Sequence, residues 1–399
     1  MKDIHSDKNN VQYKDNKGTA EKRSRLTRDV MALAQTVIMP HLKLKTHHNC
    51  RFTQYDYFKV LAYAATQHCC AEGSGNDLKF SSDVASPTGE ALLHHLKKFG
   101  ITELRQSSQR AIDEIIRMAK SRGLLKGPVN VAIDYTDNPY YGNRRDPMVI
   151  GANPERGTDR VFRYATLTII EKQCRLTIRA IPVYVGLKKH EVVADLISFA
   201  NERIEIGVVC MDRGFFSAEV FALLDSMGIN YLTPAVMTPR IIWSMRAQEP
   251  PKIIPITIGG YKGSKKVSTN MVIVLDEDMD RMTYVTNMEL DRMHTRKLNK
   301  LYAMRWGIET AYRVTKGFRP KTTSKNYAVR LFYFLFSVCL YNLWEYLAMV
   351  LSAAKKDRKG ISSITASLFG TILVHGFERC GTGPPIDDMK SSMRAVMDF

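Results

Sequence analysis

Three carboxylates, Asp134, Asp212 and Glu309, sit where chemistry is usually built. Val129, Val131, Ala132 and Ile133 read as a short buried strand ending at Asp134, and "IGVVCMD" is an apolar strand ending at Asp212. In an open α/β sheet, sites collect at the C-terminal ends of the strands. Neighbouring strands lie about 4.8 Å apart, so acids ending two of them can share metal ions. Two metals about 4 Å apart suit phosphodiester chemistry. Mg²⁺ takes oxygen ligands and keeps several waters, so three carboxylates suffice to hold it. Acids after strands also serve as turn residues and helix caps, and the residues alone leave both readings open.

Glu309 lies in "LYAMRWGIETAYRVTK", residues 301–316. On a continuous helix with Tyr302 at zero, Arg305 falls near 300°, Glu309 near 340°, Arg313 near 20° and Lys316 near 320°. Met304, Ile308 and Ala311 fall at about 180–240°. The helix thus has an apolar back and a cationic front holding one acid. Such an acid is either a salt-bridged surface feature or a metal ligand beside a polyanion.

Other elements must position these residues. Residues 26–126 carry apolar residues at helical spacing, with "AEGSGNDLKFSSD" read as a loop. "SSQRAIDEIIRMAKSRG" has a Ser cap and stops at Gly123. After "GPVNVAIDYTD", the runs "RVFRYATLTII" and "CRLTIRAIPVYVG" predict two more strands. The order is three strands, helix, strand, helix, strand. Residues 238 to about 290 have short strands and Gly-rich turns, and read as a β-rich insertion. "LFYFLFSVCLYNLWEYLAMVL", residues 331–351, has the length of a membrane span. Ser337, Asn342 and Glu345 interrupt it, which favours a buried core helix.

The chain has 399 residues, 45% of them hydrophobic, enough for a large core. Its 58 Lys and Arg against 40 Asp and Glu give +18. That excess points to a polyanionic partner: nucleic acid first, an acidic membrane surface second. Seven irregularly spaced cysteines fit a reducing compartment rather than a disulfide scaffold. The polar N-terminus shows no secretory signal.

The order of elements resembles a ribonuclease-H-like fold. Tyr302-x2-Arg305-x3-Glu309-x6-Lys316 resembles the signature around the last acid of DDE transposases of the insertion-sequence-four-like group. "AIDYTD" and "VCMDRGFFS" resemble that group's first two acidic motifs, and the resemblance covers roughly residues 125–350. It implies an α/β ribonuclease-H-like catalytic domain at 127–352 with a β-rich insertion at about 238–292. By composition and periodicity a disordered basic arm (1–25) and a helical DNA-binding domain (26–126) precede it, and a basic tail (353–399) follows. Asp134, Asp212 and Glu309 would hold two Mg²⁺ or Mn²⁺ ions. Tyr302, Arg305 and Lys316 would grip the DNA backbone, with Arg313 on the same stripe. The partners implied are double-stranded DNA, both terminal inverted repeats and target, and a second copy in a synaptic homodimer. No membrane is implied, and the place is the prokaryotic cytoplasm, at the nucleoid. Members often free the element end through a hairpin. Two rivals remain: a transposase-derived DNA-binding protein without chemistry, and a divalent-metal nuclease without strand transfer.

Other residues carry weaker signals. His47, His48 and Cys50, with His68, Cys69 and Cys70, offer zinc-type ligands at non-standard spacing; ordinary half-buried side chains are the plainer reading. Asp137 is an extra ligand or a turn residue. Trp243 is a base-stacking residue or a core tryptophan. The run from Lys316 to Arg330 holds five cations and no acid, placing a basic surface beside Glu309.

Overall fold

The computed structural model describes residues 24–81, 85–143, 145–155, 157–260, 265–291, 295, 297–354 and 364–379. Most of the expected N-terminal arm and of the C-terminal tail lies outside them. Two compact units divide the chain: residues up to Ala111 with those from Gly317 on, and Ile112–Lys316.

The first unit is helical. It contains α1 (residues 24–33, running into a π turn Ala34–Ile38), α2 (Gln54–Thr66), α3 (Ala71–Ser81), α4 (Gly89–Leu96) and the first half of α5 (Ile101–Ser121). Thr53 starts α2 with a capping box, its hydroxyl accepting from the Asp56 N–H while Asp56 accepts from the Thr53 N–H. The stretch read as a loop at 71–83 is largely α3. Gly75 serves packing rather than turning: a Cβ there would come within 2.7 Å of the Pro87 carbonyl. The Ser cap expected for α5 is also corrected. The helix starts earlier, at Ile101, and Ser108 bonds back to the Leu104 carbonyl at 2.8 Å. The long apolar helix α11 (Tyr327–Ala354) belongs to this unit, as does the short helix Ala366–Arg379 (α12). It is long and apolar enough to cross a membrane, but 72% of its apolar window is buried in the protein. Phe332 packs on Phe99 and Phe336 on Phe58.

The second unit is built on a nine-stranded sheet, ordered β2-β3-β1-β5-β6-β9-β8-β7, with β4 also paired to β3. The strands are β1 (Val129–Pro139), β2 (Ile150–Glu155), β3 (Thr158–Ile169), β4 (Thr177–Val183), β5 (Ile206–Met211), β6 (Asn230–Pro234), β7 (Lys252–Gly259), β8 (Lys266–Leu275) and β9 (Arg281–Thr286). β1, β5 and β6 are parallel; the other pairings are antiparallel. The predicted order of three strands, helix, strand, helix, strand is present as β1, β3, β4, α6 (Lys189–Asn201), β5, α7 (Ala218–Ser226) and β6, with β2 added. Val131, Ala132 and Ile133, and Val209, Cys210 and Met211, are buried in succession, as strands covered on both faces must be. α6 packs on β3 and β4, and α7 on β6 and β8. The segment read as an insertion opens with a helix, α8 (Pro239–Ala247), and its strands β7, β8 and β9 continue the same sheet through β9 on β6.

α9 (Leu298–Ala303) and α10 (Trp306–Gly317) close the unit. Ala132, Cys210, Leu298 and Ile308 share one buried cluster, with Met304 and Tyr312 packed against it. These two helices therefore cover the face of the sheet to which Ala132 and Cys210 point.

Candidate active site

Side chains alternate across a strand, so Asp134 follows Ala132, and Asp212 follows Cys210, onto the face covered by α9 and α10. Ile133 of β1 pairs with Met211 of β5, which brings the two acids to equivalent positions on neighbouring parallel strands. β1 does not end at Asp134, as its composition suggested. It runs on to Pro139, with Asp134 opposite Thr166 of β3, but its pairing with β5 stops at Ile133. Asp134 is thus held by the sheet on one side and open on the other. Asp212 caps a 3₁₀ turn, Arg213–Phe215, accepting from the Gly214 N–H at 2.9 Å.

Glu309 stands on α10, whose buried residues Ile308, Ala311 and Thr315 face the sheet. The sequence reading made 301–316 one helix. The chain breaks at Met304–Arg305, with tight bonds from Arg305 N–H to Tyr302 O (2.9 Å), Gly307 N–H to Met304 O (2.8 Å) and Ile308 N–H to Arg305 O (2.9 Å). Three-residue turns advance about 20° more per residue than an α-helix, rotating the preceding residues toward the apolar side. Tyr302 accordingly leaves the cationic front and packs against Tyr284, ring centroids 5.2 Å apart.

Arg305 turns inward with it and is only 8% exposed. Its guanidinium donates to Asp134 Oδ2 at 3.3 Å and to Glu309 Oε1 at 3.0 Å, joining the first and last acids. The other Asp134 oxygen accepts from the Tyr135 N–H at 2.8 Å. Burial pushes the Asp134 carboxyl up to about 6; the Tyr135 N–H opposes this, the Asp212 charge adds to it, Arg305 opposes it and Glu309 adds.

Lys316 and Arg313 lie exposed on α10. Trp243 is 70% exposed on α8, a helix with no buried residue, so it is not a core tryptophan. Three Arg281 bonds to the carbonyls of Met245, Arg246 and Gln248 anchor that helix's end. Asp137 is neither ligand nor turn residue. It sits opposite Arg163 across β1 and β3 and takes both its donors at 2.7 and 2.6 Å. The composition pattern did not single out Tyr312, Thr166 or Trp306. Tyr312 donates to the Asp134 carbonyl at 2.9 Å and meets Thr166 Oγ1 at 2.8 Å, tying α10 to the strand. At about 280° on the helical wheel it falls on the border between the two faces, which is the signal that marks it. Trp306 is 60% exposed beside the Arg305 guanidinium, 5.6 Å from ring centre.

Among the described residues no three His, Cys, Asp or Glu side chains converge on a common metal position, in the acidic site or among His47, His48, Cys50, His68, Cys69 and Cys70. The donor chemistry at the acids still fits hard cations: the oxygens on offer are carboxylate, and the charges of Asp212 and Glu309 both bear on Asp134.

Residues 188–343 match the family model described as a transposase DDE domain, a segment that contains Asp212 and Glu309 but not Asp134. No curated protein sequence matches the chain. Among solved structures, the chain resembles the piggyBac transposase in a synaptic complex with hairpin DNA, at a TM-score of 0.57 and 10% identity over 93% of this chain and 84% of that one. At that identity the likeness is one of fold. Residues 188–343 are thus similar to DDE transposases, while the narrower insertion-sequence-four-like grouping rests on the spacing of Tyr302, Arg305, Glu309 and Lys316.

Proposed function

We propose that this protein is a DDE transposase that cuts DNA at the ends of a mobile element and joins the freed ends to target DNA by cut-and-paste. The observation that carries this reading is the placement of Asp134 and Asp212 at equivalent positions of neighbouring parallel strands, with Glu309 tied to Asp134 through Arg305. The match to a transposase DDE domain and the fold likeness support it.

Asp134, Asp212 and Glu309 are the residues that would hold two Mg²⁺ or Mn²⁺ ions. When bound, such ions activate the attacking hydroxyl and stabilise charge on the reacting phosphate. The protein's own groups do the rest. Lys316, Arg313 and Arg305 hold phosphates in line, Tyr302 backs Arg305, and Trp243 stacks on an unpaired base. In the first step water adds to phosphorus and the 3′ oxygen leaves. In the second that 3′-hydroxyl attacks a target phosphate and displaces the target's 3′ oxygen. Double-stranded DNA at the terminal inverted repeats and at the target is the partner, not a membrane. Two copies hold the two ends, in the cytoplasm at the nucleoid.

The test uses linear DNA carrying the sequences that flank the gene, a supercoiled target plasmid and Mg²⁺. End cleavage followed by joined products supports the reading. Cleavage without joining identifies a nuclease, and binding without cleavage identifies a DNA-binding descendant.

A further inference from the structure

We propose that Arg305 is a resident counter-ion that competes with divalent cations for the acidic site and exchanges its carboxylate partners for a DNA phosphate when the cations bind. The inference rests on the metal-site reading of Asp134 and Glu309.

Three observations carry it. The oxygens that Arg305 engages, Asp134 Oδ2 and Glu309 Oε1, belong to the first and last of the three acids. Asp134 Oδ1 accepts the Tyr135 N–H, so Arg305 holds the Asp134 oxygen that has no backbone donor. The guanidinium is also imperfectly housed: Arg305 Nε is buried without a hydrogen-bond partner. Native structures rarely leave such a donor unmet.

A guanidinium and a dication a few ångströms apart on the same carboxylates repel, so occupancy by one weakens the other. Arg305 belongs to the tight turn between α9 and α10, not to a helix interior, and its planar fork matches a phosphate as well as a carboxylate. While Arg305 holds the acids, they stay neutralised and cannot gather stray cations. Cation binding sets free a phosphate ligand beside the metals. Loading of metal and gripping of DNA are thereby coupled.

The experiment is a Mn²⁺ titration of the full chain without DNA, read by thermal shift and by calorimetry, for wild type, Arg305→Ala and Arg305→Lys. Wild type must first respond to Mn²⁺; no response overturns the metal-site reading itself. Given that response, Arg305→Ala should reach half-saturation at about tenfold lower Mn²⁺, because a charge-assisted competitor is gone. Arg305→Lys, one point charge on a different stem, should fall between. An Arg305 that merely supports the site would give the opposite sign: half-saturation unchanged or higher in Arg305→Ala overturns the proposal. If Arg305→Ala lacks a native circular-dichroism spectrum, Arg305→Lys decides, and half-saturation equal to or above wild type counts against it.

Discussion

The Tyr312 hydroxyl donates to the backbone carbonyl of Asp134 at 2.9 Å, so the helix bearing Glu309 is fastened to the strand bearing the first acid at one point. The same hydroxyl meets Thr166 Oγ1 at 2.8 Å, on the strand that pairs with Asp134 from the other side. Three elements converge on a phenol, and burial holds that phenol well above its ordinary pKa, hence protonated and donating.

Tyr312→Phe keeps the ring and removes the bonds. The Asp134 carbonyl loses its donor and the Thr166 hydroxyl its acceptor, so unfolding free energy should fall by about 1–3 kcal/mol in a urea titration. DNA cleavage should fall several-fold with DNA affinity unchanged. Wild-type cleavage in a correctly folded Tyr312→Phe would show that Glu309 is positioned by other contacts.

Asp134→Asn should separate stability from activity. Folding raises this carboxyl to about 6, above its unfolded value, so its contribution is fully present in acid and is lost as pH rises through 6. At pH 7–8 the ionised, buried group costs up to about 3 kcal/mol. The amide removes that cost. Asp134→Asn should melt higher than wild type at pH 8, and the difference should close toward pH 4, while cleavage is abolished. Melting curves across that range without divalent cations, beside a cleavage assay, decide it; a variant that melts lower at pH 8 contradicts the assigned burial penalty.

Asp212→Asn and Glu309→Gln should each nearly abolish cleavage and strand transfer and leave gel-shift affinity for DNA intact. Retention of wild-type rates in either would remove that residue from the site.

DNA binding should be tight at low salt and weaken steeply between about 50 and 200 mM, since each phosphate contact releases counter-ions. Within that, Lys316→Ala and Arg313→Ala should each flatten the salt slope by roughly one contact, because both side chains are exposed on α10. Anisotropy titrations at several salt concentrations measure this, and salt-independent binding would be at odds with a polyanionic partner.

Trp243→Ala should leave stability within about 0.5 kcal/mol of wild type, as the side chain is exposed on a helix with no buried residue. Its effect should fall on end processing, read as slower formation of cleaved ends on DNA with an unpaired terminal base. Equal rates on paired and unpaired substrates for wild type and variant would argue against stacking.

Much of this was legible in the sequence because it is local. The strand run ending at Asp212, the helix that became α7, and the buried back of α10 at Ile308 and Ala311 follow from periodicity and backbone preference within a few residues. The parity of 132 with 134 and of 210 with 212 sets each acid on the face of its own strand's buried neighbour, but only the pairing of Ala132 with Cys210 makes the two faces one. What only the tertiary structure decided depends on partners distant in the chain. Asp137 reads as a turn residue until Arg163 lies opposite it. Gly75 reads as a loop residue until the start of α4 must approach α3 closely. Arg305 reads as a surface cation until the break at Met304–Arg305 rotates it inward to Asp134, 171 positions earlier in the chain. A buried ion pair across that separation leaves no periodic trace, because its energy comes from excluding water around two groups that only the fold brings together.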